Sequence, residues 1–277
     1  MDAMMKRPLG ATGLVVSALG LGTVKLGRNR ALKYAQGFAL PEDGAVRRLL
    51  DAAADLGITL LDTAPAYGTS EERLGQLLGS RRRHFVIASK AGEEFDGARS
   101  RFDFSPEAIR ASVERSLRRL RTDCLDIILL HSDGLEETAA RFGPAFAMLG
   151  ELKARGLVRA TGFSGKTVAG GRMALAHSDV VMVTLNPEQV AERPVIAEAA
   201  AAGKGVLIKK ALGSGRHVGA AGAAGGTGGA LVQAAMDFVF ATPGVASVVV
   251  GTLDPAHLAK DAAAALAAIR RAPGATP

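Results

Sequence analysis

The chain has 277 residues, enough for one large α/β barrel or two ordinary domains, and no run of charges or prolines divides it. Apolar residues make up 48% of it in short blocks, and no stretch of about 18 uncharged apolar residues occurs, which argues against a spanning helix and a membrane role. The net charge of +7 is scattered over predicted helices, as in RRLL, RSLRRLR and AIRR, and with no tryptophan, two tyrosines and no basic stretch interleaved with aromatics there is little to stack on bases, so nucleic acid is not the expected partner.

In chain order, short β-branched or leucine-rich runs alternate with alanine-rich segments whose apolar residues recur every three or four positions. Strands are predicted at 15–22, 58–62, 85–90, 125–131, 158–163, 180–185, 205–210 and 246–251. Between them, helices are predicted at 41–57, 70–79, 105–121, about 136–155, 167–176, 192–203, 231–241 and 254–271. Ser105 before Pro106 and Glu107, and Asp254 before Pro255, read as helix caps. Eight βα units in this length predict an α/β fold, a single-domain (β/α)8 TIM barrel over residues 1–277 with its site at the C-terminal strand ends. An open doubly wound sheet is the alternative, but the glycines at 20, 22 and 27 lack its fingerprint spacing.

The opening MDAMMKRPLGATG has no apolar core with a small-residue cleavage site, so a cytoplasmic location is expected. The single Cys124 excludes an internal disulfide and, beside an apolar strand, reads as an ordinary buried thiol. Five dispersed histidines lack metal-site spacing, and no metal is expected.

The barrel reading makes the strand ends informative. Asp62, Lys90 and His131 close three successive strands, and Tyr67 follows Asp62 in the next loop. Singly, each has a structural explanation: a turn cap, a lysine leaving the core, a satisfied histidine. Together they describe proton transfer, in which an ammonium lowers the pKa of a phenol, a carboxylate holds the ammonium, and an imidazole orients a carbonyl.

The stretch DTAPAYGTSEERLG, with SK ending the third strand and LLHSD the fourth, resembles the aldo-keto reductases, and the likeness runs over nearly the whole chain. LGATGLVVSALGLGT is similar to that family's N-terminal β-hairpin and first strand, FSPEAIRASVERSLRRLRTDCLDIILLHSD to its third helix and fourth strand, and GVLIKKALGSG and SVVVGTLDPAHL to its last two units. The resemblance implies an oxidoreductase that moves hydride between a nicotinamide cofactor and an aldehyde, ketone or sugar carbonyl or alcohol. It makes Tyr67 the general acid, Lys90 the group that depresses its pKa, Asp62 the partner of Lys90, and His131 the residue that positions the substrate oxygen. A cofactor-binding regulatory subunit with little turnover is the alternative, since some relatives keep both features yet act as partners of a membrane protein.

For the cofactor, the resemblance implies Gly22 and Thr23 after the first strand, and Leu212, Gly213 and Ser214 after the seventh. Ser164 stands where a serine of the family holds the nicotinamide carboxamide, but Gly165 replaces its asparagine partner and Met182 a glutamine. Lys209 stands where an aromatic residue often stacks. Gly251, Thr252 and His257, followed by Lys260 and Asp261, replace the basic clamp for a 2′-phosphate; His257 and Lys260 at a helix N-terminus lean the reading to NADP(H) over NAD(H).

One motif competes. ATGFSGKT, 160–167, nearly matches a phosphate-binding loop, but Ala160 replaces the first glycine and falls inside a strand. Lys166 is then a rim residue or simply solvated. The glycine-rich 219–229 reads as a slack linker or a cover over bound cofactor. The long loop 27–41 brings Tyr34 and Phe38 towards the mouth, as pocket lining or as surface cover, and 91–104 is a second candidate pocket wall.

Overall fold

Alternation along each central strand sets the architecture of this computed structural model, which describes residues 3–31, 38–136, 139–213 and 228–272. In the strand Leu125–His131, Ile127 and Leu129 point into the barrel while Ile128 and Leu130 meet the surrounding helices, the two-residue period of a pleated strand buried on both faces. Eight such strands pair in parallel and close: β3 (Leu19–Gly22), β4 (Leu60–Asp62), β5 (Val86–Ala91), β8 (Leu125–His131), β9 (Val158–Ser164), β10 (Val180–Thr184), β11 (Gly205–Lys209) and β12 (Ser247–Val250), which returns to β3. The α/β barrel expected from the periodicity is the fold found.

The predicted strand 15–22 is two elements. β1 (Lys6–Pro8) and β2 (Val15–Ser17) form an antiparallel hairpin, and the chain then turns at Ala18 into β3. Leu9, Leu14 and Val16 of this hairpin join the barrel interior, packing with Leu60, Ile127 and Leu207. The approach is close: a Cβ on Gly205 would lie 2.7 Å from Leu9 Cδ1. The hairpin thus closes the end where β11 begins and leaves the C-terminal rim for polar side chains.

Outside lie α1 (Val24–Gly27), α2 (Asp43–Asp55), α3 (Ser70–Leu77), α4 (Pro106–Leu120), α5 (Ala139–Ala154), α6 (Val168–Leu175), α7 (Arg193–Ala201), α8 (Gly228–Phe240) and α9 (Pro255–Arg271). The predicted caps are made: Ser105 Oγ accepts from Ala108 N at 3.3 Å and Asp254 Oδ1 from Ala256 N at 2.8 Å. Thr167 also caps α6, accepting from Gly170 N at 3.0 Å. The segment 91–104 holds an unpredicted hairpin, β6 (Glu93–Phe95) with β7 (Ser100–Phe102), which stands over the rim after β5. Cys124 is only partly buried, because it lies in the turn before β8; burial still pushes its thiol up. Among the described residues, no helix is long and apolar enough to cross a membrane.

Candidate active site

Strand register gathers the site. Gly22 and Asp62 are paired neighbours at the ends of β3 and β4, Lys90 sits two residues past the last β4 pairing on β5, and His131 pairs with Ser164 across β8 and β9. Lys90 is 1% exposed, and its ammonium donates to Asp62 Oδ1 at 2.5 Å, to the Thr63 carbonyl at 2.9 Å and to Tyr67 Oη at 3.1 Å. Tyr67 donates in turn to Asp62 Oδ2 at 3.3 Å. A buried cation is tolerable only when paired and hydrogen-bonded, and these three oxygens do both.

Tyr67 ends a short 3-10 turn, Pro65–Tyr67, and the following Gly68 has φ +62, where a side chain would be strained. A Cβ on Gly68 would also lie 2.2 Å from the Gly27 carbonyl, so the turn that aims the phenol needs glycine twice over. Helix α3 then locks this turn to β5: Ser89, beside Lys90, donates from Oγ to the fully buried Glu71 at 2.6 Å. Burial raises the Glu71 carboxyl, and Ser89, Ser116 and Arg119 pull it back. Thr23 is also fully buried; its hydroxyl donates to the Asp62 carbonyl at 2.8 Å and meets Ser70 Oγ at 2.8 Å. This hydroxyl is turned inward and holds the end of β4, while the residue itself follows Gly22 on the loop after β3.

His131 faces Tyr67 edge-on, with ring centroids 6.4 Å apart. Its Nδ1 lies 2.7 Å from Glu93 Oε2 on β6, a close approach without hydrogen-bond geometry. Burial raises the Glu93 carboxyl, but His131, Ser100 and Arg28 outweigh it and bring Glu93 down to about 2. Burial lowers His131, against the opposite pull of Glu93 and with the help of Lys90 and Lys209. Arg28 is fixed by the Ala66 carbonyl at 2.9 Å and stacks 3.7 Å from the Phe95 ring centroid. Sequence reading missed Glu93, although the Asp96-Gly97 pair between two short runs is a hairpin signal.

Across the mouth, Lys209 reaches Ser164 Oγ at 3.0 Å and the Gly165 carbonyl at 2.5 Å. Ser164 therefore accepts from the lysine that stands where the family often has an aromatic residue. Burial lowers Lys209 to about 8, with Glu192 and Glu136 opposing and Lys210 and Lys90 assisting. Gly165 has a local cause: a Cβ there would stand 2.9 Å from the Phe163 ring. Met182 points into the apolar barrel interior and is 2% exposed, so it replaces a polar group by packing.

The near-phosphate loop already holds an anion. Glu136, 2% exposed, accepts from Lys166 N at 2.7 Å and from Thr167 N at 2.8 Å and Oγ1 at 2.5 Å. A phosphate would have to displace this carboxylate, which rules against the nucleotide-hydrolase motif. Lys166 itself is exposed, 5.9 Å above Phe102.

On the remaining arc, Gly22 and Gly251 lie side by side, a Cβ on Gly251 falling 3.7 Å from the Gly22 carbonyl and otherwise in open space. Thr252 accepts from Asp254 N at 3.1 Å, and His257, 64% exposed, stands 3.6 Å from Asp254 Oδ2. Leu212 packs on the core and Gly213 adopts φ +58. Phe38 lies 5.9 Å from Lys25 Nζ. Ser214, Tyr34 and all but the last two residues of 219–229 fall outside the described residues. No cluster of three or more His, Cys, Asp or Glu that would hold a metal is found among the described residues.

A closed barrel whose rim buries an ion pair beside a phenol defines a class of (β/α)8 proteins with a polar cluster at the strand C-termini. The comparisons are specific about which. The sequence profile described as Aldo/keto reductase family matches residues 18–223. A solved structure described as an aldo-keto reductase from Pseudomonas aeruginosa is 48% identical, with a TM-score of 0.85 over 97% of this chain and 98% of that one. D-threo-aldose 1-dehydrogenase from Pseudomonas sp. is 30% identical over 74% of this chain and 68% of its own length. NADH-specific methylglyoxal reductase of Escherichia coli (strain K12) is 34% identical over 57% of this chain and 51% of its own. The matched part is about half the length of several curated relatives, 49% and 48% in two more cases. The chain belongs to the Aldo/keto reductase family.

Proposed function

We propose that the protein is an NAD(P)(H)-dependent oxidoreductase acting on a small aldehyde, ketone or sugar carbonyl, or on the corresponding alcohol. The observation that carries this reading is the Lys90 ammonium, 2.5 Å from Asp62 and 3.1 Å from the Tyr67 oxygen. A bound nicotinamide would supply or accept the hydride. Tyr67 gives its proton to the substrate oxygen during reduction and takes one during oxidation. Lys90 stabilises the negative charge that develops on Tyr67 Oη when that proton leaves. Asp62 holds the ammonium in place, and His131 positions the substrate.

Residues on the rim suit such a dinucleotide. Gly22 and Gly251 present bare backbone where a Cβ on Gly251 would fill open space, a cradle for a flat or extended group. Leu212, Gly213 and Thr252 would continue the track, with Ser164 and Lys209 as a joined polar pair at the nicotinamide end. A preference for NADP(H) rests on His257 and on exposed Lys260 in the first turns of α9. Asp254 opposes it, since its carboxylate caps the same helix and faces His257 at 3.6 Å. The preference for the phosphorylated dinucleotide is accordingly a small one. Cytoplasmic location and one folding unit across residues 1–277 belong to the same reading.

Titration of the purified protein with NADPH and with NADH, followed by nucleotide fluorescence, tests it. Saturable binding of both, somewhat tighter for NADPH, is expected; absence of binding for either would overturn the proposal.

A further inference from the structure

Lys209 ends β11 with its side chain turned across the mouth, outside the four residues assigned to proton transfer. Its ammonium donates to Ser164 Oγ at 3.0 Å and to the Gly165 carbonyl at 2.5 Å, both neutral oxygens. Lys90 differs, since Asp62 meets its charge at 2.5 Å. Two carboxylates act on Lys209 from neighbouring elements, and both are engaged elsewhere. Glu192, just before α7, accepts from Thr184 N at 2.9 Å, and Glu136, after β8, is held by the amides of Lys166 and Thr167. Lys210 and Lys90 add charge of the same sign. Burial and these two lysines draw the Lys209 ammonium down to about 8, against the pull of Glu192 and Glu136. The mouth thus carries a positive charge whose hydrogen-bond acceptors, among the described residues, are neutral.

Strand order sets this charge beside the dinucleotide track. Lys209 and Gly22 close β11 and β3, and Gly251 follows β12 between them. On the other side, Ser164 pairs with His131 across β9 and β8. Under the oxidoreductase reading, on which this inference rests, a dinucleotide cradled on the two glycines brings its ring to a substrate held by Tyr67 and His131. Hydride transfer needs the ring carbon about 3–3.5 Å from the substrate carbon, so the ring spans the arc between the glycines and His131, the arc that Lys209 occupies. An oxidised nicotinamide carries a formal positive charge and a reduced one carries none. The reduced ring also conjugates its nitrogen with the carboxamide, which makes that oxygen the better acceptor for an ammonium N–H. Both effects act in one direction. We propose that Lys209 is a specificity-determining residue that makes the site prefer the reduced dinucleotide, its ammonium repelling the oxidised ring and accommodating the neutral one. The protein is thereby set to load NAD(P)H and to discharge NAD(P)+, the direction of carbonyl reduction.

Calorimetric titration of the purified protein with NADPH and with NADP+, at about pH 7 and about pH 9.5, reads the preference without turnover. Like charges roughly 10 Å apart at an effective dielectric of about 20 change a binding constant by about 10-fold. Wild type should therefore bind NADPH about 10-fold or more tighter than NADP+ near neutral pH, and the ratio should shrink several-fold at the higher pH as the ammonium loses its proton. Lys209→Met should show the smaller ratio at both pH values. Lys209→Arg, which keeps the charge, should show the larger one at both. A wild-type ratio that does not change with pH, or one that survives intact in Lys209→Met, would overturn the proposal; the wild-type series decides it even where a variant does not fold. Equal binding of the two redox forms near neutral pH would remove the role of Lys209 and leave the oxidoreductase reading standing. Binding of neither form would overturn that reading, and this inference with it.

Discussion

Replacing Lys90 by Met keeps most of the stem and removes only the charge, and the structure gives the size of the consequence. The Lys90 side chain is 2% exposed and that of Asp62 6%, so the pair has almost no water to fall back on. Without the ammonium, the Asp62 side-chain oxygens keep, among the described residues, the Tyr67 hydroxyl at 3.3 Å, and the Thr63 carbonyl loses a donor at 2.9 Å. Breaking a buried pair from one side costs about 3–5 kcal/mol. That is a large fraction of the roughly 5–15 kcal/mol that holds a folded domain together. With a urea m-value of about 3 kcal/mol per M, the unfolding midpoint should fall by about 1 M or more. Removing both charges, in Asp62→Asn/Lys90→Met, should recover at least about 2 kcal/mol of this loss, because no orphaned ion remains. A single variant that loses less than about 1 kcal/mol, or a double variant as unstable as the single, would refute the claim that these charges are held by one another.

Other expectations follow from the same neighbourhood. Glu93 is depressed from 4.5 to about 2, so its contribution to stability is complete above pH 4.5 and is lost as pH falls towards 2. After allowance for its partial exposure this is on the order of 2 kcal/mol, and the stability gap between wild type and Glu93→Gln should narrow by about that much on acidification in urea melts. A gap constant with pH would count against the contacts of Glu93 with His131, Ser100 and Arg28. Lys209 moves the other way: the unfolded chain binds its proton up to about 10.5 and the folded one only to about 8, so stability should rise with pH across that window by on the order of 1 kcal/mol, and Lys209→Met should lack the rise. Gly170→Ala would put a Cβ 2.1 Å from Glu136 Oε2, and a loss of about 1–3 kcal/mol is expected in thermal unfolding; an unchanged midpoint would mean that the carboxylate moves freely.

How much of this was legible depends on the range over which each feature is encoded. The barrel was written locally, since β-branched runs and alanine-rich amphipathic segments alternate, and Asp62, Lys90 and His131 fall at strand ends that the pattern places within a residue or so. Roles within the site were harder to read. Thr23 looked like a rim residue, and only the packing of α3 shows its hydroxyl turned to Ser70 and the Asp62 carbonyl. Glu136 lies 30 residues before the amide that it binds in 164–167, so the sequence shows a vacant anion loop where the fold shows a filled one. Glu93 escaped because β6 and β7 are three residues each and carry no alternating apolar pattern, leaving Asp96-Gly97 as the one local cue. In sequence Lys209 stands for a lost stacking group; its contacts with Ser164 and Gly165 depend on how β9 and β11 flank β10.

In the proposed reaction the Tyr67 oxygen passes the proton while the dinucleotide passes the hydride. Tyr67→Phe removes that oxygen and little else, so single-turnover reduction of glyceraldehyde by NADPH, with NADPH affinity measured on the same sample, tests it most directly. The rate should fall by about 10²–10⁴-fold with the dinucleotide Kd unchanged. A Tyr67→Phe enzyme that turns over at the wild-type rate would contradict it.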